Sequence, residues 1–176
     1  MNADVLLGFD ALAAAVTAAI VDARERRIPN WLTYPTIATG VVLRGCFYGW
    51  RGVGTAVAGC LFAGGTVFLF YLVRVMGAGD VKLLAAIGCL LGPLDAVVVM
   101  AATAIAGGVL ALIYVFVRQR FGATLRNTGI VLWFHCARRL QPHPELNLDN
   151  PVALRMPYGL AIATGTLYAF LAICWR

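Results

Sequence analysis

The 176-residue sequence has few charged residues: Asp, Glu, Lys and Arg make up only 12% of it, and eight residues are acidic. A soluble domain has about 25% charged residues, and a chain with so few cannot cover the water-facing surface of a soluble fold of this size. The 61% of hydrophobic residues also excludes an intrinsically disordered chain. The composition therefore predicts an integral membrane protein.

The sequence also lacks the patterns of metal and nucleic-acid sites. It has no Cys-x-x-Cys pair, and His135 and His143 have no partner at ligand spacing, so we expect no metal and no cofactor. The net charge is +6, but the basic residues lie between apolar runs rather than along one face, so we expect no nucleic-acid partner. The N-terminal segment lacks the basic start of a signal peptide and contains Asp4 and Asp10, so we expect it to remain as a membrane span.

What the sequence does contain is a series of apolar runs. They fall at Val5–Val21, Trp31–Tyr48, Val53–Val73, Val81–Leu91, Leu94–Val117 and Tyr158–Trp175. All but the short fourth run are long enough, or nearly so, to cross a hydrocarbon core about 30 Å thick. We therefore expect an all-α, polytopic membrane helical bundle of about six transmembrane helices, forming a single domain over residues 1–176.

Glycines are predicted to shape this bundle in two ways. Gly92, followed by Pro93, predicts a tight turn between the fourth and fifth helices. Small residues inside the runs let helices approach closely. The glycines that we expect at such contacts are Gly59, Gly64, Gly65, Gly107 and Gly108.

The basic residues predict the orientation of the bundle. With six spans, the loops 22–30, 74–80 and 118–157 lie on one side, and that side holds 11 of the 14 Lys and Arg residues when Lys82 is included. The positive-inside rule makes this side the cytoplasm and puts the N-terminus outside, in a cytoplasmic membrane protein whose partner is the lipid bilayer. The first half of the loop 118–157 is predicted to form an interfacial helix, with an irregular basic loop as the alternative.

Two of the few acidic residues stand at helix ends on this predicted cytoplasmic face. Asp22 ends the first run and Asp80 comes just before the fourth. Two carboxyls close together can share one proton, because like charges a few ångströms apart resist joint ionisation. The ionised carboxyl can take a proton from water, while the protonated one polarises a carbonyl and later protonates the leaving nitrogen. Asp22 and Asp80 are therefore candidates for an aspartic-protease pair, and capping of a helix by Asp80 is the structural alternative.

Two glycines precede the second acid. Gly77 and Gly79 complete a Gly-x-Gly-Asp motif with Asp80. Glycine permits backbone angles that are closed to other residues and leaves room for a neighbouring chain. We therefore predict that both glycines let an extended peptide approach Asp80 closely.

Three segments together resemble the signature blocks of type IV prepilin peptidases, a family of polytopic aspartic proteases. The segments are VDARERRIPNWLT around Asp22, GAGDVKLLAAIG around Asp80, and RMPYGLAIATG at Met156–Gly165. The resemblance implies that the two aspartates are the catalytic pair, that Lys82 fixes charge near them, and that Pro29 starts the next helix. The other motif positions that it implies are Gly77, Gly79, Arg27, Ile28 and Asn30.

The resemblance also implies a substrate. Such enzymes cleave the leader of prepilins and pseudopilins on the cytoplasmic side. The chain lacks the Cys-x-x-Cys region of bifunctional members, so we expect no methyltransferase activity. It is similar to the short peptidases of Flp/Tad-type pilus systems, and archaeal preflagellin peptidases are also short. The sequence does not indicate an oligomeric state.

Two other functions are compatible with the residues. One is a small transporter or channel subunit in which Asp22, Asp80 and Lys82 bind or relay a cation. Its weakness is that both acids lie at the membrane edge rather than at the midplane, where transporter sites usually lie. The other is a non-enzymatic assembly protein of a pilus or secretion machine.

Overall fold

The computed structural model describes residues 2–73, 76–117 and 158–175, and within them the only regular structure is helical. The helices are α1 (Ala3–Glu25), α2 (Asn30–Leu72), α3 (Ala78–Leu91), α4 (Pro93–Val117) and α5 (Gly159–Cys174). By length and composition, α1, α2 and the Pro93–Ile113 part of α4 could each span a membrane. The prediction of an all-α membrane protein is confirmed. The predicted interfacial helix in the loop 118–157 lies outside the described residues.

The helix α2 contains the second and third apolar runs and reverses direction at Gly49. Gly49 has φ 61° and ψ −148°, a left-handed backbone conformation that favours glycine. The Arg44 guanidinium reaches the Thr55 hydroxyl at 2.7 Å, although the two residues are 11 positions apart. Eleven residues of straight helix would separate them by about 16 Å. The arms 30–48 and 50–72 therefore fold back on each other, and the predicted loop between them is reduced to a break at one glycine.

A buried arginine organises the end of the bundle at which α1 begins, which we call the far end. The Arg44 guanidinium donates hydrogen bonds to the carbonyl oxygens of Leu90 at 2.8 Å and Leu91 at 2.5 Å, where α3 ends. It also lies 5.9 Å from the ring centre of Tyr48, whose hydroxyl donates to Asp4 in α1 at 2.7 Å. A cation is favourable at a helix C-terminus because the last carbonyls have no partner in the helix. Arg44 thus joins the first three helices at the far end.

The helix α3 is short and central. Its 14 residues rise about 21 Å, which is less than a hydrocarbon core of about 30 Å and agrees with the short fourth run. Leu83, Ile87 and Leu90 on this helix are fully buried in the core. The helix ends at Gly92, which has φ 83°, and α4 begins at Pro93, so the predicted turn is confirmed.

Close helix contacts depend on several of the predicted glycines. Gly59 in α2 and Gly88 in α3 touch through their backbones, and a Cβ on either would overlap the carbonyl of the other. A Cβ on Gly64 would lie 2.9 Å from Ala85, and one on Gly107 would lie 2.9 Å from the ring of Tyr158. The expected close approach is wrong at two positions that have no described atom within 4 Å of a Cβ, Gly65 and Gly108.

Candidate active site

Asp22 lies in the last turn of α1 and is only 7% exposed. Its carboxyl faces the start of α5, where the amide N–H of Gly159 donates a hydrogen bond to Oδ2 at 2.9 Å. A Cβ on Gly159 would lie 3.0 Å from that oxygen and 3.2 Å from the Cα of Ala19, so the two helices meet closely because residue 159 is a glycine. The site end of the bundle, opposite the far end, is therefore built from the end of α1 and the start of α5.

Asp80 lies in the first turn of α3, outside the candidate membrane spans. Gly77 is the N-cap of this helix, and its amide donates to the Asp80 carboxyl, as acidic side chains often do in the first helical turn. Burial and, second, the charge of Asp22 raise the pKa of Asp80 to about 7, while the Gly77 amide acts in the opposite direction. The capping contact considered as an alternative thus exists, and the same carboxyl also senses the charge of Asp22.

Both aspartates line one cavity of about 310 Å³. The rest of its wall comes from the turn between α1 and α2 and from the start of α3: Arg26, Arg27, Ile28, Asn30, Gly77, Ala78, Gly79 and Lys82. The structure therefore brings the predicted site residues together, with the exception of Pro29, which does not line the cavity.

A comparison with protein families identifies the family of this chain. A profile of the type IV leader peptidase family matches residues 11–112, which is more than half of the 176 residues. The chain belongs to the type IV leader peptidase family. It is therefore a leader peptidase-type protease, and the matched residues include both aspartates. No curated protein and no solved structure matches it significantly.

Membership in the leader peptidase family bears on the competing hypotheses. It favours a peptidase over a transporter subunit or a non-enzymatic assembly protein. The third sequence block lies beyond the matched residues, and within that block the structure describes residues 158–165. Its Gly159 nevertheless contacts Asp22, so the start of the block lies beside the candidate site.

The backbone conformation of the two motif glycines differs from the predicted one, while the expected approach of an extended peptide stays a prediction. Gly77 has φ −74° and ψ 148°, an ordinary extended conformation, and Gly79 lies within α3 without a positive φ. The prediction of backbone angles closed to other residues is therefore wrong. A Cβ on Gly77 would lie 3.1 Å from Oδ2 of Asp80, and one on Gly79 would lie 3.0 Å from Cβ of Ile28. The glycines make room for the catalytic-pair candidate and for the turn after α1.

That turn is tight and has one unusual residue. Arg26 caps α1 with φ 53°, and its amide donates to the carbonyl oxygen of Asp22 at 2.8 Å. A left-handed conformation is uncommon for a residue with a side chain. Pro29 is the N-cap of α2 with φ −77°, and the helix begins at Asn30. The prediction that Pro29 ends the loop and starts the next helix is confirmed.

Lys82 links two helices at the site end. Its ammonium donates to Oδ1 of Asn30 at 2.9 Å and lies 5.2 Å from the ring centre of Tyr34. Within the described part of the chain, no hydrogen bond connects it to either aspartate. The structure therefore shows Lys82 joining the starts of α2 and α3, and its expected effect on the charge of the pair stays a prediction.

Tyr158 is a site residue that sequence reasoning did not single out. It is the N-cap of α5. Burial raises the pKa of its phenol, and the charge of Asp80 raises it further. The signal in the sequence was its place as the aromatic residue of the third block.

The described residues contain no group of three or more His, Cys, Asp and Glu side chains that could hold a metal ion. His135 and His143 lie outside the described residues. The reaction that two carboxyls and water can perform is general acid–base hydrolysis, with the pair supplying both the proton acceptor and the proton donor.

Proposed function

We propose that this leader peptidase is a membrane aspartic endopeptidase that removes the leader of prepilins or pseudopilins. Asp22 and Asp80 activate a water molecule for attack on the scissile peptide bond. The observation that carries the proposal is the single cavity that both carboxyls line, formed by the end of α1 and the start of α3.

The electrostatics of the pair support this chemistry. The pKa of Asp80 is raised to about 7 by burial and, second, by the charge of Asp22, so near neutral pH Asp80 is protonated in a large share of the molecules. One carboxyl is then ready to accept a proton from water, and the other is ready to polarise the carbonyl and to protonate the leaving nitrogen. A coupled pair of this kind titrates as a unit.

The arrangement of the helices supports a six-span topology with an outside N-terminus. Counting the two arms of α2 separately, each helical segment runs between the far end and the site end and the next one returns. The described turn 26–29 lies at the site end, and together with the connecting sequences 73–77 and 118–157 it holds most of the basic residues. By the positive-inside rule these connections are cytoplasmic, so the site opens to the cytoplasm of a bacterial or archaeal cell.

The substrate class follows from the family and from the resemblance of the three blocks. A prepilin leader is cytoplasmic before cleavage, so a site at the cytoplasmic edge of the bundle can reach it without unfolding of the membrane part of the substrate. By the same resemblance we propose a peptidase of the Flp/Tad type, and the 176 residues contain no Cys-x-x-Cys pair.

The proposal is tested by removing one carboxyl at a time. Asp22→Asn and Asp80→Asn are each co-expressed with a tagged prepilin, and leader removal is followed in membranes by gel mobility. Both variants should leave the prepilin uncleaved. Glu25→Gln is the matched control, because Glu25 is an exposed acid in the same last turn of α1 and should be dispensable. Full processing by either Asn variant would refute the proposal.

A further inference from the structure

The start of α5 contacts the Asp22 carboxyl in a way that the family assignment does not explain. The Gly159 amide and the Asp22 carboxyl lie 2.9 Å apart, although the residues are 137 positions apart in the sequence. Within the described part of the chain, this is the one hydrogen bond to that buried carboxyl. The orientation of Asp22 is therefore set by a helix that lies outside the residues matched by the family profile.

The contact requires a glycine at residue 159 and a hydrogen-bond acceptor beside its amide. A Cβ at residue 159 would lie 3.0 Å from Oδ2 of Asp22 and 3.1 Å from its Cβ. The first amide of α5 to find a carbonyl partner within the helix is that of Ile162, which bonds to Tyr158 at 3.1 Å. The Gly159 amide thus has no acceptor within its own helix, and the acceptor that it has is Asp22.

We propose that Gly159 is a positioning residue of the reaction: its amide holds the Asp22 carboxyl beside Asp80 and stabilises negative charge on it, so that Asp22 is the base of the pair. An N–H can only donate, and the N-terminus of a helix favours a negative charge. The inference rests on the aspartic mechanism proposed above and deepens it by assigning the two roles.

The two carboxyls differ even though each accepts one backbone amide. Asp80 accepts from Gly77, yet its pKa remains raised to about 7 because burial and the charge of Asp22 outweigh that amide. Burial and the neighbouring charge thus favour the protonated form of Asp80, which is the form that the acid of the pair needs.

With these roles, every proton in the hydrolysis cycle has a donor and an acceptor. Asp22 takes a proton from water as the water oxygen bonds to the carbonyl carbon, and Asp80 hydrogen-bonds the carbonyl oxygen. The carbon–nitrogen bond then breaks as Asp80 gives its proton to the leaving nitrogen. The proton on Asp22 passes to Asp80, which restores the starting state.

Other charged or titratable groups line the cavity or lie near Asp80, and none of them makes a hydrogen bond to the Asp22 carboxyl within the described residues. They come from the turn after α1, from α3 and from the start of α5: Arg26, Arg27, Asp80, Lys82 and Tyr158. Within the described part of the chain, the Gly159 amide is therefore the group that contacts the Asp22 carboxyl directly.

The test removes the amide hydrogen without adding a side chain. Incorporation of glycolic acid at position 159 turns the Tyr158–Gly159 amide into an ester, so the donor is lost and no Cβ is introduced. The control is leucic acid at position 160, because the Leu160 amide makes no hydrogen bond within the described part of the chain and no hydrogen bond to Asp22. The purified peptidase is assayed on a prepilin in detergent, and kcat/KM is measured across pH.

The ester at 159 should move the acid limb of the pH profile upward by about one unit, because the negative charge on Asp22 loses its donor. At a pH on that limb, kcat/KM should fall roughly tenfold, while the ester at 160 leaves the profile in place. An acid limb that does not move with the ester at 159 overturns the inference. A uniform loss at every pH also overturns it, because that is the signature of a structural role only.

The same assay separates this inference from the proposed function. Asp22→Asn and Asp80→Asn are measured beside the esters. If either Asn variant cleaves at the wild-type rate, the aspartic mechanism itself fails. If both are inactive and the ester at 159 behaves like the ester at 160, the aspartic mechanism survives and only the role of Gly159 is refuted.

Discussion

Asp80 should make the stability of the folded peptidase depend on pH. The perturbation is Asp80→Asn, which keeps the size of the side chain and removes its titration. Because burial and the charge of Asp22 hold the proton on Asp80 in the folded state, the unfolded chain ionises at a lower pH than the folded one. The variant should therefore gain stability where the wild-type residue is forced to ionise.

The magnitude follows from the two pKa values. The pKa of Asp80 is about 7 in the folded protein against an ordinary value of 3.8. Between these values the folded state binds more protons than the unfolded state, so the free energy of unfolding falls as pH rises, by about 1.36 kcal/mol per unit. The penalty is small at pH 4 and reaches about 4 kcal/mol by pH 8, where it levels off.

Thermal unfolding in detergent with a thiol-reactive dye measures this effect. Cys89 is fully buried and becomes reactive on unfolding, whereas Cys46 and Cys174 are exposed and set the baseline. The Tm of the wild type should fall between pH 5 and pH 8, and Asp80→Asn should raise the Tm at pH 8 but not at pH 4. Glu25→Gln removes an exposed acid and should leave the slope unchanged.

Two results would refute the reasoning. If Asp80→Asn and the wild type lose Tm equally between pH 5 and pH 8, Asp80 does not carry the pH dependence. If the variant is instead stabilised most at low pH, the sign is reversed, and the folded state must favour the ionised carboxyl.

Further predictions concern contacts away from the pair. Arg44→Met should lower the free energy of unfolding by about 2 to 4 kcal/mol, since hydrogen bonds to a charged group are lost, and Arg44→Lys should rescue only part of it in the same dye assay. Gly59→Ala should lower it by about 1 to 3 kcal/mol through overpacking, whereas Gly65→Ala, facing open space, should not change the Tm. Lys82→Met and Asn30→Ala should show a coupling of about 1 kcal/mol in a double-mutant cycle, and additive effects would contradict the link between the two side chains.

The sequence predicted what depends on composition and on short motifs. The scarcity of charge was enough for a membrane bundle. The placement of Asp22 and Asp80 at helix ends on one face followed from counting spans, and the structure puts both on one cavity. The turn between α3 and α4 at Gly92 and Pro93 could also be predicted, because the conformational freedom of glycine and the restricted backbone of proline act locally.

What the sequence did not predict depends on contacts between distant residues. Arg44 lies inside the second apolar run, and nothing near it in the sequence indicates that it is buried against carbonyls that only the packing of α3 brings to it. The motif does not indicate that Gly79 leaves room for the side chain of Ile28, since Ile28 lies in the turn between α1 and α2. The contact between Gly159 and Asp22 likewise requires that α5 begin at the end of α1.

The two ends of the bundle are linked through α3, and this connects a stability feature to the site. Asp80 stands in the first turn of this helix, and its last carbonyls are held by Arg44. A helix moves about 1.5 Å along its axis for each residue of register, and a displacement of about 1 Å can cost 10²-fold in rate when it misplaces a catalytic group. The helix α3 is short, and the Arg44 guanidinium holds its last carbonyls by hydrogen bonds. The position of Asp80 along the helix axis is therefore fixed from the opposite end of the bundle. Arg44 should therefore affect leader cleavage although it touches no part of the cavity.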